Sequence, residues 1–146
     1  MIDVSTKLVL SQTRERAAEY ALELDNAPRW IDGVKSVEWK TPKPVAIHSK
    51  VILHADASGK KGITYQVILF EPAYAIRFKS TDATYPTEFT ISFEDGEEAG
   101  TCKAAMRMKQ TITGLSSVAE PLVKIGLKKS VAKSMVALKA AVERGG

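Results

Sequence analysis

The sequence has few of the residues on which disulfides, metal sites and nucleophilic catalysis depend. It contains one cysteine, Cys102, and two histidines in 146 residues. A lone cysteine excludes an internal disulfide, and one cysteine with two histidines is too few ligands for a structural zinc site. There is no glycine-rich phosphate loop and no pair of carboxylates on an apolar face. We therefore expect no metal, no cofactor and no catalytic residue, because no such constellation is present.

Long apolar runs and targeting signals are also missing. No stretch approaches the roughly 18 consecutive apolar residues of a membrane-spanning helix. Residues 1–5 lack the basic and apolar regions of a signal peptide, and a single cysteine fits a reducing compartment, so a cytoplasmic location is expected. The net charge of +4 is modest. Because the basic residues are not interleaved with exposed aromatics, we expect no nucleic-acid partner.

The hydrophobic pattern has a two-residue period over about 100 residues and a 3.6-residue period at the end. Ser117 and Glu120 form a capping box, and the apolar stripe behind it predicts one long helix over 118–143, stopped by Gly145 and Gly146. Earlier segments predict a helix at 14–24 and one more turn at 29–32. Strands are predicted at 2–10, 34–40, 45–54, 63–70, 73–80, 86–94 and 101–112, with a hairpin at 58–62.

These elements predict an α+β fold in one domain spanning residues 1–146. Seven strands would span roughly 33 Å, whereas a helix is about 10–12 Å across, so the sheet must curve around the helix. The expected architecture is a curved seven-stranded antiparallel sheet wrapped around a long C-terminal helix, with two short helices after strand 1. Small residues on the helix, at Ala119, Gly126, Ser130, Ser134 and Ala137, predict that a cavity remains between helix and sheet.

The layout resembles the START and pollen-allergen helix-grip superfamily (SRPBCC), in particular its polyketide cyclase/dehydrase and lipid-transport branch. The similarity lies in the order and spacing of four short segments: 25–30, 71–72, 100–101 and 138–143. It covers nearly the whole chain. The resemblance implies a helix-grip fold and a pocket for a lipid, sterol, polyketide or quinone. A minority of the superfamily catalyses cyclisation or dehydration.

Candidate ligand-binding residues lie on the predicted inner faces and at the pocket mouth. They are Trp30, Tyr65, Phe78, Phe89, Met106, Met108, Gln110, Ser130 and Ser134. Methionines suit an irregular apolar guest, and Gln110 could bond its polar end. Each has an ordinary structural alternative as well. The aromatic and methionine side chains could be simple core, and a helical serine often bonds the carbonyl one turn back.

Other reactive side chains look structural. His48 and His54 are out of phase with the apolar face and are predicted to be exposed. Cys102 has no obvious base beside it and is expected to pack as a small apolar residue.

Three functions fit this pattern. The first is binding, and possible transport, of a small hydrophobic molecule, which needs a dry pocket and one or two polar anchors. The second is a polyketide cyclase or dehydratase, which would need an inward acid or base with a shifted pKa. The third is a chaperone-cofactor-like interaction module, which would have a filled cavity.

A second apolar stripe runs along the long helix, opposite its inward face. It comprises Val118, Leu122, Ile125, Ala132 and Val136, flanked by Lys129 and Lys133. Two uses are open, a homodimer contact or transient contact with an anionic membrane surface. The alternative is that the first helix or a loop covers Leu122 and Ile125.

Overall fold

The structure is a computed structural model that describes residues 1–55, 62–114 and 119–144. In these ranges, strands form most of the first two thirds of the chain and a long helix ends it. The strands are β1 (Ile2–Leu10), β2 (Ser36–Trp39), β3 (Lys50–His54), β4 (Gly62–Glu71), β5 (Ala75–Ser80), β6 (Thr87–Asp95) and β7 (Cys102–Gln110). The helices are α1 (Arg14–Ala21), α2 (Ala27–Trp30) and α3 (Ala119–Glu143).

All seven strands form one antiparallel sheet in the order β1-β7-β6-β5-β4-β3-β2. Neighbouring strands in the sheet are consecutive in the chain except for β1, which forms one edge of the sheet and pairs with β7. One face is buried in strict alternation: in β6, for instance, Thr87, Phe89, Ile91 and Phe93 are all buried. The predicted α+β architecture of a seven-stranded antiparallel sheet with a long C-terminal helix is confirmed.

Helix α3 covers one side of this sheet rather than its middle, because it lies mainly against β1 and more lightly against β7 and α2. Its buried residues are Val131, Ser134, Met135, Leu138, Ala141 and Val142. All of them belong to the second half of the helix, and none of residues 119–130 is buried. The sheet face over β3 and β4 is therefore left to be closed by other parts of the chain.

One helix residue departs from the predicted inner face. Gly126 is exposed, and a Cβ built on it would have nothing within 4 Å. The prediction that it opposes the sheet is wrong, because the first half of α3 packs against the core through Val123 and Leu127, and Gly126 lies outside that contact. Met135, absent from the predicted face, is fully buried.

Strand β3 is shorter than its alternating pattern predicts. Pairing begins at Lys50 and not at 45, because the chain turns at Ile47 and His48, where His48 has φ +74°. The turn is closed by the Ser49 hydroxyl, which accepts a hydrogen bond of 2.9 Å from the Ala46 amide. Ile47 is consequently 53% exposed.

The first helix also ends early. The sequence predicts a helix over 14–24, whereas α1 stops at Ala21 and a separate 3₁₀ turn, Leu24–Asn26, follows. The Glu23 side chain caps this turn by accepting from the Asp25 amide at 3.2 Å. Thr13 caps the start of α1 through its side chain, which accepts from the Arg16 amide at 3.3 Å.

His54 is buried, contrary to the prediction that it is exposed. Its Nε2 lies 3.1 Å from Glu38 Oε1 on the neighbouring strand β2. It pairs across the sheet with Gly62, and a Cβ at that glycine would come within 2.5 Å of Nδ1. The missing side chain lets the imidazole pack against the backbone of β4, which explains its burial.

Several predicted features lie outside the described residues. These are the capping serine Ser117, Val118 of the outer stripe, the terminal Gly145 and Gly146, and the hairpin at 58–62 apart from Gly62.

Candidate ligand-binding pocket

A pocket of about 470 Å³ lies against the inner face of the sheet, on the side that α3 leaves uncovered. The segment 31–34, between α2 and β2, closes it from the other side. Its lining residues are Ile31, Asp32, Gly33, Val34, Leu53, Ala55, Gly62, Ile63, Tyr65, Phe89, Met106 and Met108. Most of these side chains are apolar, and among the described lining residues only Asp32 and Tyr65 carry side-chain oxygen atoms.

The wall on the sheet side follows from strand register. Met108 on β7 pairs with Phe89 on β6, and Phe89 pairs with Phe78 on β5. Phe78 in turn pairs with Val67 on β4. Directly opposite residues of an antiparallel sheet point to the same face, so large side chains line up in one row across four strands.

Three aromatic rings stiffen this wall. The rings of Phe78 and Phe89 stack with centroids 4.7 Å apart, and Tyr65 meets Phe89 edge-on at 5.2 Å. Tyr65 also meets Phe78 edge-on at 6.4 Å. Offset-stacked and edge-to-face pairs of this kind contribute roughly 0.5–1.5 kcal/mol beyond their buried area. Phe78 is not among the residues that line the pocket, so its ring supports Tyr65 and Phe89 from behind the wall.

The hydroxyl of Tyr65 has no hydrogen-bond partner among the described residues. Burial, with a smaller contribution from the negative charge of Asp82, raises the pKa of Tyr65 to about 12. The group therefore stays protonated at neutral pH. A protonated hydroxyl in an apolar wall is a hydrogen-bond donor that is available to a guest molecule.

Asp32 fastens the 31–34 segment to α3. Its carboxylate accepts from the Ser130 hydroxyl at 2.7 Å, and its backbone amide donates to the Ser134 hydroxyl at 2.8 Å. The Ser134 hydroxyl itself donates to the Ser130 carbonyl at 3.0 Å, and Lys133 Nζ lies 3.5 Å from the Asp32 carboxylate. This group of Asp32, Ser130, Ser134 and Lys133 is called the rim staple below.

The structure brings four of the nine predicted ligand residues to the pocket wall: Tyr65, Phe89, Met106 and Met108. It places Phe78 behind the wall and Ser130 and Ser134 in the rim staple. Gln110 donates to the Thr87 hydroxyl at 3.0 Å. Trp30 is buried in the core with its indole N–H unpartnered, and it does not line the pocket. Ligand contact by any of the nine stays a prediction.

The residues that sequence reasoning missed are concentrated in the 31–34 segment. Asp32 carries no periodic signal, and its serine partners lie about a hundred residues later in the chain. The clue available in the sequence was Gly33, because glycine favours turns. In the structure it has φ +84°, a conformation that favours glycine. The glycine indicated where the chain turns but not which pocket the turn closes.

A second depression, of about 490 Å³, lies on the outer face of the sheet. Its lining is polar and charged, and both of its arginines bond neighbouring side chains. Arg107 Nε donates to Asp3 at 2.8 Å, and Arg77 Nε donates to Thr90 at 2.9 Å. Because it lacks apolar walls, this depression is an ordinary polar sheet surface and a weaker candidate than the inner pocket.

Neither a membrane-crossing helix nor a metal cluster occurs in residues 1–55, 62–114 and 119–144. No helix there is long and apolar enough to cross a membrane. No three His, Cys, Asp or Glu side chains come together there as metal ligands would. Cys102 is buried, and burial raises the pKa of its thiol.

Comparison with known proteins connects this geometry to a family. Residues 1–143 match the family described as polyketide cyclase / dehydrase and lipid transport. None of the curated proteins matches the sequence.

Solved structures with the same fold have low sequence identity. A START superfamily protein from Mycobacterium smegmatis is 14% identical, with a TM-score of 0.75 over 99% of both chains. A protein from Thermus thermophilus is 17% identical, with a TM-score of 0.77 over 99% of both chains. The di-domain ARO/CYC protein BexL from the BE-7585A biosynthetic pathway is 18% identical, with a TM-score of 0.79 over 98% of this chain and 47% of its own. At these identities the likeness establishes the fold alone.

Proposed function

Because the chain belongs to the polyketide cyclase/dehydrase and lipid transport family, we propose that it binds a small hydrophobic molecule in the inner pocket. The observation that carries the proposal is an apolar pocket of about 470 Å³ with one unpartnered hydroxyl in its wall. Ligand sites in proteins typically enclose about 300–1,000 Å³ and combine apolar walls with a few polar groups. The pocket has both properties.

The apolar lining of the inner pocket argues against a purely structural role. The depression on the outer face has a similar volume of about 490 Å³, so size alone does not distinguish the two. The inner pocket is a cleft open to solvent with mostly apolar walls, and apolar surface is more stable when a guest removes it from water. An interaction module with a closed core is therefore the less favoured alternative.

The polar group in the wall indicates what kind of guest fits. Tyr65 can donate one hydrogen bond, so it suits a molecule with a carbonyl or ether oxygen on an apolar skeleton. Polyketides and quinones carry such oxygens, whereas a plain hydrocarbon would leave the hydroxyl unpaired. Leaving a buried donor unpaired costs about 1–3 kcal/mol. We infer a carbonyl-bearing apolar ligand.

Binding can be tested directly and with a neutral dye. Native mass spectrometry of the purified protein is expected to show an added mass that organic extraction removes. Nile red, which fluoresces in apolar surroundings, is expected to bind the extracted protein at one site and to be displaced by menadione. Absence of dye binding by extracted, folded protein would contradict the proposal.

A matched pair of variants locates the site. Val34→Phe adds a ring at the pocket wall and is expected to weaken Nile red binding at least tenfold. Val9→Phe makes the same change on an exposed position of β1, 55% accessible, and should leave binding unchanged. Equal binding by both variants would place the dye elsewhere.

The role of Tyr65 is separable because Tyr65→Phe removes only the hydroxyl. A hydrogen bond contributes about 1 kcal/mol, so menadione affinity is expected to fall about fivefold. 2-Methylnaphthalene has a similar skeleton without carbonyls, and its affinity should not fall. A parallel loss for both compounds would contradict the assigned hydrogen bond.

A further inference from the structure

The outward surface of α3 is unusually apolar for a solvent-facing helix. Leu122, Ile125 and Val136 are 67%, 51% and 63% exposed. They recur at helical spacing on one side, and Lys128, Lys129 and Lys133 are interspersed with them. These six residues are called the docking face. The expectation that α1 or a loop covers Leu122 and Ile125 is wrong, since both are exposed.

The charges on this face are all positive and mostly unpaired. Lys128 and Lys129 make no ion pair with any described residue, and Lys133 pairs only with Asp32 of the rim staple while remaining 77% exposed. The acids of α3, Glu120 and Glu143, lie at its two ends. Glu143 is engaged by Lys139 at 2.6 Å. No acidic residue of the helix between these ends neutralises the lysines.

We propose that the docking face binds an anionic membrane surface. Aliphatic side chains can enter the boundary between headgroups and acyl chains, while the long lysine side chains keep their ammonium groups among the phosphates. Charge complementarity selects this occupant. A second copy of the chain is disfavoured, because a two-fold contact through this face would bring the unpaired lysines of both copies into one interface with no acidic residue of the helix to pair with them.

The position of the face adds a consequence for cargo exchange. Lys133 belongs both to the docking face and to the rim staple, so the face lies beside the 31–34 segment that closes the pocket. A membrane bound at the docking face would therefore lie next to the pocket rim. Apolar molecules dissolve in that membrane, so docking would bring the pocket close to their source.

Co-sedimentation with vesicles tests the docking face without reference to cargo. The 146-residue chain is mixed with vesicles of phosphatidylcholine alone, or with vesicles in which about one third of the lipid is phosphatidylglycerol. We expect binding to the anionic vesicles only. This binding should weaken as salt rises, because the Debye length, the distance over which charges attract each other, falls to about 3 Å at 1 M salt. Since no ligand is involved, this result and the dye-binding result can fail independently.

Charge variants define the face. Each lysine near an anionic surface contributes a factor of about five, so Lys128→Glu/Lys129→Glu is expected to lower the partition coefficient at least 25-fold. Lys7→Glu/Lys50→Glu makes the same change in net charge on the sheet and should lower it much less. Equal losses in both variants would overturn the proposal.

Apolar variants test insertion. Leu122→Gln/Ile125→Gln keeps good helix formers and is expected to lower binding about tenfold, whereas Val9→Gln/Ile47→Gln alters equally exposed residues elsewhere and should not. Binding to neutral vesicles as strong as to anionic ones would overturn the proposal. So would a dimer, seen by light scattering, that Leu122→Gln/Ile125→Gln abolishes, because that result assigns the face to a second copy.

Discussion

Removing the Ser134 hydroxyl is expected to destabilise the protein and loosen the pocket rim without altering the pocket wall. Ser134 is 1% exposed and its hydroxyl makes two hydrogen bonds, accepting from the Asp32 amide at 2.8 Å and donating to the Ser130 carbonyl at 3.0 Å. In Ser134→Ala the first partner loses its acceptor. The Ser130 carbonyl keeps its place in the helix and is less affected.

The magnitude follows from the Asp32 amide. A buried or half-buried donor left without an acceptor costs about 1–3 kcal/mol, and we take about 2 kcal/mol for this site. For a domain near 150 residues, about 1 kcal/mol corresponds to roughly 4 °C in Tm. Ser134→Ala should therefore melt about 8 °C lower. Ser130→Ala should lose about half as much, because Asp32 keeps Lys133 and water as partners.

Thermal and urea unfolding measure this loss, and hydrogen exchange locates it. Exchange of the amides at 31–34 should rise in Ser134→Ala, while exchange in β6 should not. Ser5→Ala, an exposed serine on β1, serves as the control and should change stability by less than about 0.5 kcal/mol. If Ser134→Ala kept the wild-type Tm and lost Nile red affinity, the hydroxyl would act on the ligand and not on the rim.

The remaining predictions concern stability. Gly126→Ala should stabilise the protein by about 0.4–1 kcal/mol, because the position is in the middle of a helix with open space around the added Cβ. Gly62→Ala should destabilise it by about 1–3 kcal/mol, because its Cβ would come within 2.5 Å of His54 Nδ1. Urea unfolding measures both changes in the free energy of unfolding. Hydrogen bonds from Lys43, and then from Trp39, lower the pKa of Asp25 below its ordinary 3.8. A carboxylate whose pKa is lower in the folded than in the unfolded state stabilises the fold at pH values above its unfolded pKa. This contribution is lost as the pH falls through the folded pKa. Lys43→Met should therefore be less stable than wild type at pH 7, and the difference should shrink in acid unfolding as the pH falls below 3.8 through the folded pKa of Asp25. A difference that stays constant over the acid range would contradict this prediction.

Alternation predicts strands well where one face is covered, and poorly where it is not. In β6 the period-two pattern and the buried face coincide residue by residue. Residues 45–49 show the same pattern, yet Ile47 is 53% exposed because the chain turns there and makes no strand. Alternation reports which side chains would share a face. It does not report whether a neighbouring strand is present to pair with.

The pocket shows a second limit. Its wall could be anticipated, because Tyr65, Phe89 and Met106 fall on the inner faces of predicted strands. Its rim could not, because Asp32 meets Ser130 across 98 positions of sequence. The sequence predicts that both serines contact a ligand, which stays a prediction, and it gives no sign that the structure pairs both of them with Asp32. Small polar residues on an inward helix face do not reveal whether a guest or a loop bonds them.

The same polar groups bear on whether the pocket is catalytic. A cyclase or dehydratase needs a group that accepts a proton near neutral pH. A pKa raised to about 12 makes Tyr65 a poor base, and no described side chain bonds its hydroxyl to activate it. The carboxylate of Asp32 accepts from Ser130 and faces Lys133, so its oxygens already serve the rim. A donor that stays protonated and a carboxylate engaged in structure both support the proposal that this pocket holds a carbonyl-bearing molecule, and they identify no proton acceptor among the described lining residues.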